Sequence, residues 1–125
     1  MSSRRLVDGM NVIGSRPDGW WRDRPAAMRA LVGRLDELAM RTGDDLTVVF
    51  DGRPFDIAAD HVRVLFAKRG GPNAADDEIV RLVEADDDPG SLEVVTSDSD
   101  LADRVRSRGA EVVPAGAFRR GLPGD

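Results

Sequence analysis

Apolar residues fall along this chain in two alternating rhythms. Leu6-Val7, Leu46-Thr47-Val48-Val49-Phe50, Val62-Arg63-Val64-Leu65-Phe66, Leu92 to Thr96 and Glu111-Val112-Val113 are short, dense runs rich in β-branched residues. Runs of this kind read as strands, and near-continuous ones as strands covered on both faces. Arg63 interrupts the third run and marks it as less buried. Between the runs the period lengthens. Met28, Leu31, Val32, Leu35 and Leu38 recur at i, i+3, i+4, i+7 and i+10, behind a start signal at Asp23 and Pro25 and ahead of a stop at Gly43. Ile79, Val80 and Val83 give one face to a helix over 76–85, which Asp86-Asp87-Asp88-Pro89-Gly90 stops. Ser97-Asp98-Ser99-Asp100 caps a helix carrying Leu101, Ala102 and Val105, closed by Gly109. Residues 14–24 and 68–73 read as loops, and 114–122 as a last helical turn. Strand and helix alternate, which predicts an α/β fold with a parallel sheet covered on both faces.

Composition narrows the classes of function. A chain of 125 residues, 41% hydrophobic and 33% charged, fits one globular domain spanning 1–125, with 114–125 a short C-terminal segment. It has no cysteine, which excludes disulfides and thiolate sites and fits a cytoplasmic setting. One histidine, His61, excludes a histidine metal cluster. No apolar h-region or membrane-spanning run is present, so neither a secretory leader nor a membrane partner is expected. The net charge of −5 argues against binding nucleic acid or membrane by bulk positive charge. Within that balance Asp outnumbers Glu by 18 to 5, which turns attention to where the aspartates stand.

Three of them end strands: Asp8, Asp51 and Asp98. Asp76 and Asp77 open a helix, and Asp100 follows Asp98 by two. Each has an ordinary explanation taken alone. Asp8-Gly9 and Asp51-Gly52 suit turns, Asp98 suits an N-cap, and Asp76-Asp77 suit the positive end of a helix dipole. Ligands of open parallel sheets bind beyond the strands' carboxyl ends, where strand order reverses. If the first and fourth strands are neighbours there, Asp8, Asp98 and Asp100 converge, and their repulsion raises pKa values. A divalent cation relieves this, and oxygen ligands suit Mg²⁺ or Mn²⁺. The nine-residue loop 67–75 is long enough to bring Asp76-Asp77 over the same edge.

Leu6-Val7-Asp8-Gly9-Met10-Asn11-Val12-Ile13, Val48-Val49-Phe50-Asp51-Gly52, Ala75-Asp76-Asp77-Glu78-Ile79 and Val95-Thr96-Ser97-Asp98-Ser99-Asp100-Leu101 occur in that order. Together they resemble the YacP-like group of the NYN branch of the PIN-like nucleases, over about residues 4–120. The resemblance implies a three-layer α/β sandwich with a five-stranded, mainly parallel sheet of order 3-2-1-4-5. It implies a ribonuclease dependent on Mg²⁺ or Mn²⁺, cutting single-stranded RNA. Asp8, Asp76, Asp77, Asp98 and Asp100 match the catalytic, metal-holding acids. Asn11, Asp51, Arg53, Lys68, Arg69, Thr96 and Ser97 are the expected substrate-side residues, with Arg16, Arg22 and Arg24 a wider basic rim. Trp20-Trp21 offer rings on which bases could stack, but at least one of them is expected to pack over the helix that Asp23 starts. Arg119 and Arg120 belong to that rim or to a solvated tail, and Asp86 to Asp88 to a solvated loop. YacP-like chains usually continue further at the C-terminus than this one. The expected partner is single-stranded RNA, with the ribosome an open alternative setting. A non-catalytic RNA- or ribosome-binding module of the same fold is the main competitor. A phosphorelay receiver, a Toprim site and a dinucleotide-binding fold fit less well. They need, respectively, an acidic pair on the first strand with a lysine after the fifth, a first-strand Glu, and a Gly-x-Gly-x-x-Gly.

Overall fold

The computed structural model describes residues 3–68, 70–71 and 73–124. Five strands pair side by side: β1 (Arg4–Asp8), β2 (Asp45–Phe50), β3 (Arg63–Phe66), β4 (Leu92–Val95) and β5 (Glu111–Val113). Their order is β3-β2-β1-β4-β5, and every pairing is parallel. The helices are α1 (Gly9–Gly14), α2 (Arg24–Thr42), α3 (Ala74–Ala85), α4 (Ser99–Arg106) and α5 (Ala115–Arg120). The fold is the expected α/β sandwich in the expected strand order.

Side-chain alternation divides the dense apolar runs between two layers. Val7, Val48, Phe50 and Val95 pack with α1, α2 and α5 through Val12, Leu31, Val32, Leu35 and Ala115. Leu6, Val49, Leu92 and Val94 pack with α3 and α4 through Ile79, Val83, Leu101 and Val105. Because side chains along a strand alternate, Asp8 follows Leu6 onto the α3/α4 face. That parity, set by the packing of the whole strand, aims the first acid at the helices that carry the others.

Local chemistry sets the boundaries. Asp23 caps α2 by accepting from the Ala26 N–H at 3.1 Å, and Gly43 leaves the helix at φ 75°, the left-handed region that favours glycine. The segment after β1 departs from the sequence expectation. Asp8-Gly9 is not a turn, because Gly9 begins α1 directly. A Cβ at Gly9 would run into the Phe50 ring and lie 3.0 Å from Val48 Cγ2, so this glycine serves a close approach of backbone to core.

Contacts between residues distant in sequence complete the fold. Asp86 is not solvated: Arg4 forks onto its two oxygens at 2.9 and 3.0 Å, tying α3's end to β1. Asp36 on α2 accepts the backbone N–H groups of Asp60, His61 and Val62 at 3.0, 2.6 and 2.9 Å, anchoring the connection into β3. Arg119, 9% exposed, is neither rim nor tail. It donates to the Ile13 carbonyl at 2.7 Å and to Asp18 at 2.8 Å, pinning α5 to the end of α1. Trp20 packs on the α1/α2 core, while Trp21 stays 53% exposed. Among the described residues no helix is long and apolar enough to cross a membrane.

Candidate acidic site at the strand carboxyl ends

Register brings the first pieces together. Val7 pairs with Val95, so the next residues, Asp8 and Thr96, lie side by side. The Thr96 hydroxyl donates to Asp8 Oδ2 at 2.9 Å and accepts the Asp98 N–H at 3.1 Å. Asp98 Oδ1 in turn accepts the Leu101 N–H at 3.0 Å, capping α4. One hydroxyl therefore links the acid of β1 to the acid that opens α4. Thr96, expected among the substrate-side residues, is 1% exposed, and its hydroxyl is engaged with Asp8 and Asp98.

Asn11 and Ser97 form a second strut. Asn11 Oδ1 accepts the Ser97 N–H at 2.8 Å, and Ser97 Oγ accepts the Ala115 N–H at 2.9 Å. Together they fasten the β4–α4 turn to α1 and α5. Both side chains thus spend polar atoms on the frame around Asp8.

Asp8 has the electrostatics of a group under load. It is 5% exposed. It occupies the N-cap position of α1, yet its side chain does not cap the helix. Burial pushes its carboxyl up from 3.8 to about 7; the Thr96 hydroxyl pulls the other way, the charges of Asp76 and Asp98 push further up, and the Asn11 backbone N–H opposes them. Asp76 is also raised, first by burial, then by Asp98, with Arg104 opposing and Asp77 and Asp51 adding. Asp8, Asp76 and Asp98 are repelling neighbours, and among the described residues no arginine or lysine is bonded to any of the three.

Above them opens a cleft of about 410 Å³ lined by Asn73, Asp76, Asp98, Asp100, Asp103 and Arg104. Asp103 is an acid that the motif reading passed over. Its signal was the i, i+3 spacing from Asp100 on one helix face. Asp77 stands apart from this set. It is 66% exposed, pairs with Arg104 Nη1 at 2.9 Å, and lines a neighbouring recess of about 590 Å³ with Lys68, Glu78 and Arg81. Its chain neighbour Asp76 faces the cleft because adjacent helical residues point about 100° apart.

Asp51 and Arg53 lie on the other flank. Asp51 accepts from Arg24 at 3.1 Å, and both line a groove of about 470 Å³ with Arg53, Met28 and Phe55. Arg69, the remaining expected substrate residue, lies outside the described residues.

Among the described residues no three His, Cys, Asp or Glu side chains are grouped tightly enough to grip a bare metal ion. The donors are nevertheless all carboxylate oxygens, two of them with raised pKa values and like-charged neighbours. That chemistry fits a hard cation such as Mg²⁺, which keeps much of its hydration shell and takes only one or two carboxylates directly.

Comparison with known proteins agrees with this architecture. The crystal structure of Rae1 (YacP) from Bacillus subtilis superposes with a TM-score of 0.77 at 28% identity, covering 96% of this chain and 72% of that one. A point variant of the same protein gives 0.80 at 27% identity, covering 94% and 73%. A UPF0178 protein of Xanthomonas campestris pv. campestris is 41% identical over 93 residues, 74% of this chain, and one of Xanthomonas oryzae pv. oryzae is 39% identical over 98. The chain spans about half the length of these curated relatives, 54% and 57%. The model of the YacP-like NYN domain matches residues 5–123. With that match over nearly the whole length, and the strand order and acid positions already described, the chain belongs to the YacP-like NYN domain family, a nuclease-like branch of the PIN fold.

Proposed function

We propose that this chain is a metal-dependent endoribonuclease that cuts single-stranded RNA, with residues 1–125 acting as one nuclease domain in a cytoplasmic setting. The observation that carries the reading is Asp8. It is a buried carboxyl at the end of the central strand, raised to about 7, facing two other acids and, among the described residues, bonded to no cation. An aspartate kept only for stability is usually capped or paired, as Asp36 and Asp86 are here.

In this reading Asp8, Asp76 and Asp98 hold Mg²⁺ or Mn²⁺, in part through water, and Asp100 and Asp103 hold hydrated charge at the cleft mouth. Asp77 was expected among these ligands, and its exposed pairing with Arg104 favours an outer role. When bound, the cation lowers the pKa of a water ligand and neutralises charge on the phosphate under attack. Thr96 orients Asp8 and Asp98 through its shared hydroxyl, and Asn11 with Ser97 keeps the surrounding turns from spreading. Attack by water in line with the P–O3′ bond leaves a 5′-phosphate and a 3′-hydroxyl. Arg24 and Arg53 on one flank and Lys68 on the other offer contacts to the phosphates of the strand.

A non-catalytic RNA- or ribosome-binding module is favoured by one observation, the absence of a closed metal-binding set among the described residues. One assay separates the two. The protein is incubated with single- and double-stranded RNA and DNA in Mg²⁺ or Mn²⁺, and product 5′ ends are mapped. Metal-dependent cuts in single-stranded RNA, lost in Asp8→Asn with Asp98→Asn, support the enzyme. Binding without cutting supports the module, and equal cutting by parent and double variant refutes the site.

A further inference from the structure

The acidic cleft holds one cation that the motif reading did not single out. Of its six lining residues four are aspartates, and Arg104 is the basic one. Among the described lining residues a phosphodiester entering this cleft meets four carboxylates, the Asn73 amide and this one guanidinium. Arg104 rises from the last turns of α4, four residues after Asp100, which places both on one helix face. Its charge is felt at Asp76, where it opposes the effect of burial. Its side chain is 41% exposed, and its Nη1 is held at 2.9 Å by Asp77 on α3. One donor of the guanidinium fork is thus spent on fixing its position, and a fork has five.

Resting on the nuclease reading, we propose that Arg104 is the phosphate contact of the acidic cleft and that Asp77 is the positioning residue that holds it there. The contact is to the two non-bridging oxygens of an RNA phosphate, which a planar guanidinium recognises with two parallel donors. Asp77 is not among the described residues that line the cleft, and it bonds Arg104, which does line it. This pairing gives a second use for the acidic pair: Asp76 faces the cation site, and Asp77 faces the arginine.

The test is RNA affinity against salt, with Ca²⁺ replacing Mg²⁺ and Mn²⁺ and a fluorescent single-stranded RNA oligonucleotide as probe. Arg104→Met should weaken binding and lower the log–log salt slope by about 0.7, the loss of one phosphate on a single strand. Arg104→Lys should keep the slope. Asp77→Asn should weaken binding several-fold, and Asp77→Asn with Arg104→Met should be no weaker than Arg104→Met alone, because Asp77 acts through Arg104. In a Mn²⁺ titration by calorimetry Asp77→Asn should bind as the parent does, whereas Asp76→Asn should not. An unchanged slope in Arg104→Met, or Mn²⁺ binding lost equally in Asp77→Asn and Asp76→Asn, overturns the assignment. If the parent cuts RNA and the Asp8→Asn, Asp98→Asn protein does not, that failure falls on Arg104 alone. If the parent neither binds nor cuts RNA, the nuclease reading falls and takes this one with it.

Discussion

Asp8→Asn should stabilise the metal-free protein at pH 8 while removing the group at the heart of the proposed site. The folded chain holds the Asp8 proton up to about 7, against an ordinary value of 3.8, because burial, Asp76 and Asp98 disfavour the charge more than Thr96 and Asn11 favour it. Between those values the folded state binds the proton and the unfolded state does not. The contribution is therefore full below pH 3.8 and is lost as pH rises through 7. At 1.36 kcal/mol per pH unit, the span from 3.8 to about 7 amounts to about 4 kcal/mol. Asparagine keeps an oxygen for the Thr96 hydroxyl, now 2.9 Å from Asp8 Oδ2, and carries no charge. Urea unfolding with a chelator at pH 4.5, 6 and 8 measures the effect. Asp76 is raised as well, and Asp18, Asp36 and Asp86 are lowered, so each contributes its own slope. Taking variant minus parent at each pH isolates Asp8. The difference should be about 1 kcal/mol at pH 4.5 and grow to about 4 kcal/mol by pH 8. Adding Mn²⁺ at about 100 times its dissociation constant should then return about 2.7 kcal/mol to the parent and little to the variant. A variant less stable than the parent at pH 8 in chelator would refute the reasoning, since Asp8 would then be a compensated structural acid.

Gly9→Ala should destabilise by about 1–3 kcal/mol in thermal melts, because the new methyl collides with the fully buried Phe50 ring, which has no room to move. Arg119→Ala should cost about 2–4 kcal/mol and free the loop before α2 to proteases, since it strands the Ile13 carbonyl and Asp18. Asp36→Ala should cost about 1–2 kcal/mol at pH 7. Asp36 is held below its usual value, with burial opposing and the His61, Val62 and Asp60 amides prevailing. Its contribution is therefore present above 3.8 and lost as pH falls through the folded value, so the urea midpoints of variant and parent should converge in acid.

Much of the site was legible because its acids sit where local sequence also marks element ends. Asp8, Asp76 and Asp98 each border a strong apolar run, and strand parity carries the first to the side of the other two. The partition within the acidic pair was not legible. Asp76 and Asp77 are equivalent as letters, and only the packing of α3 against α4 puts one in the cleft and the other on Arg104. Arg104 and Asp103 were hidden for the same reason. An exposed charge on an amphipathic helix looks like solvated surface until a neighbouring helix gives it a partner.

The sequence by itself determined the elements, the parallel sheet and the strand ends at which acids gather, because these depend on periods of two and 3.6 and on caps within a few residues. Tertiary structure alone decided which charges are compensated. Arg4 finds Asp86 across 82 positions and Arg119 finds Asp18 across 101, while Asp8 is buried against Thr96 and, among the described residues, has no cation bonded to it. Desolvation and Coulomb interaction act through space, so the difference between a paired acid and a poised one appears only when the chain is folded.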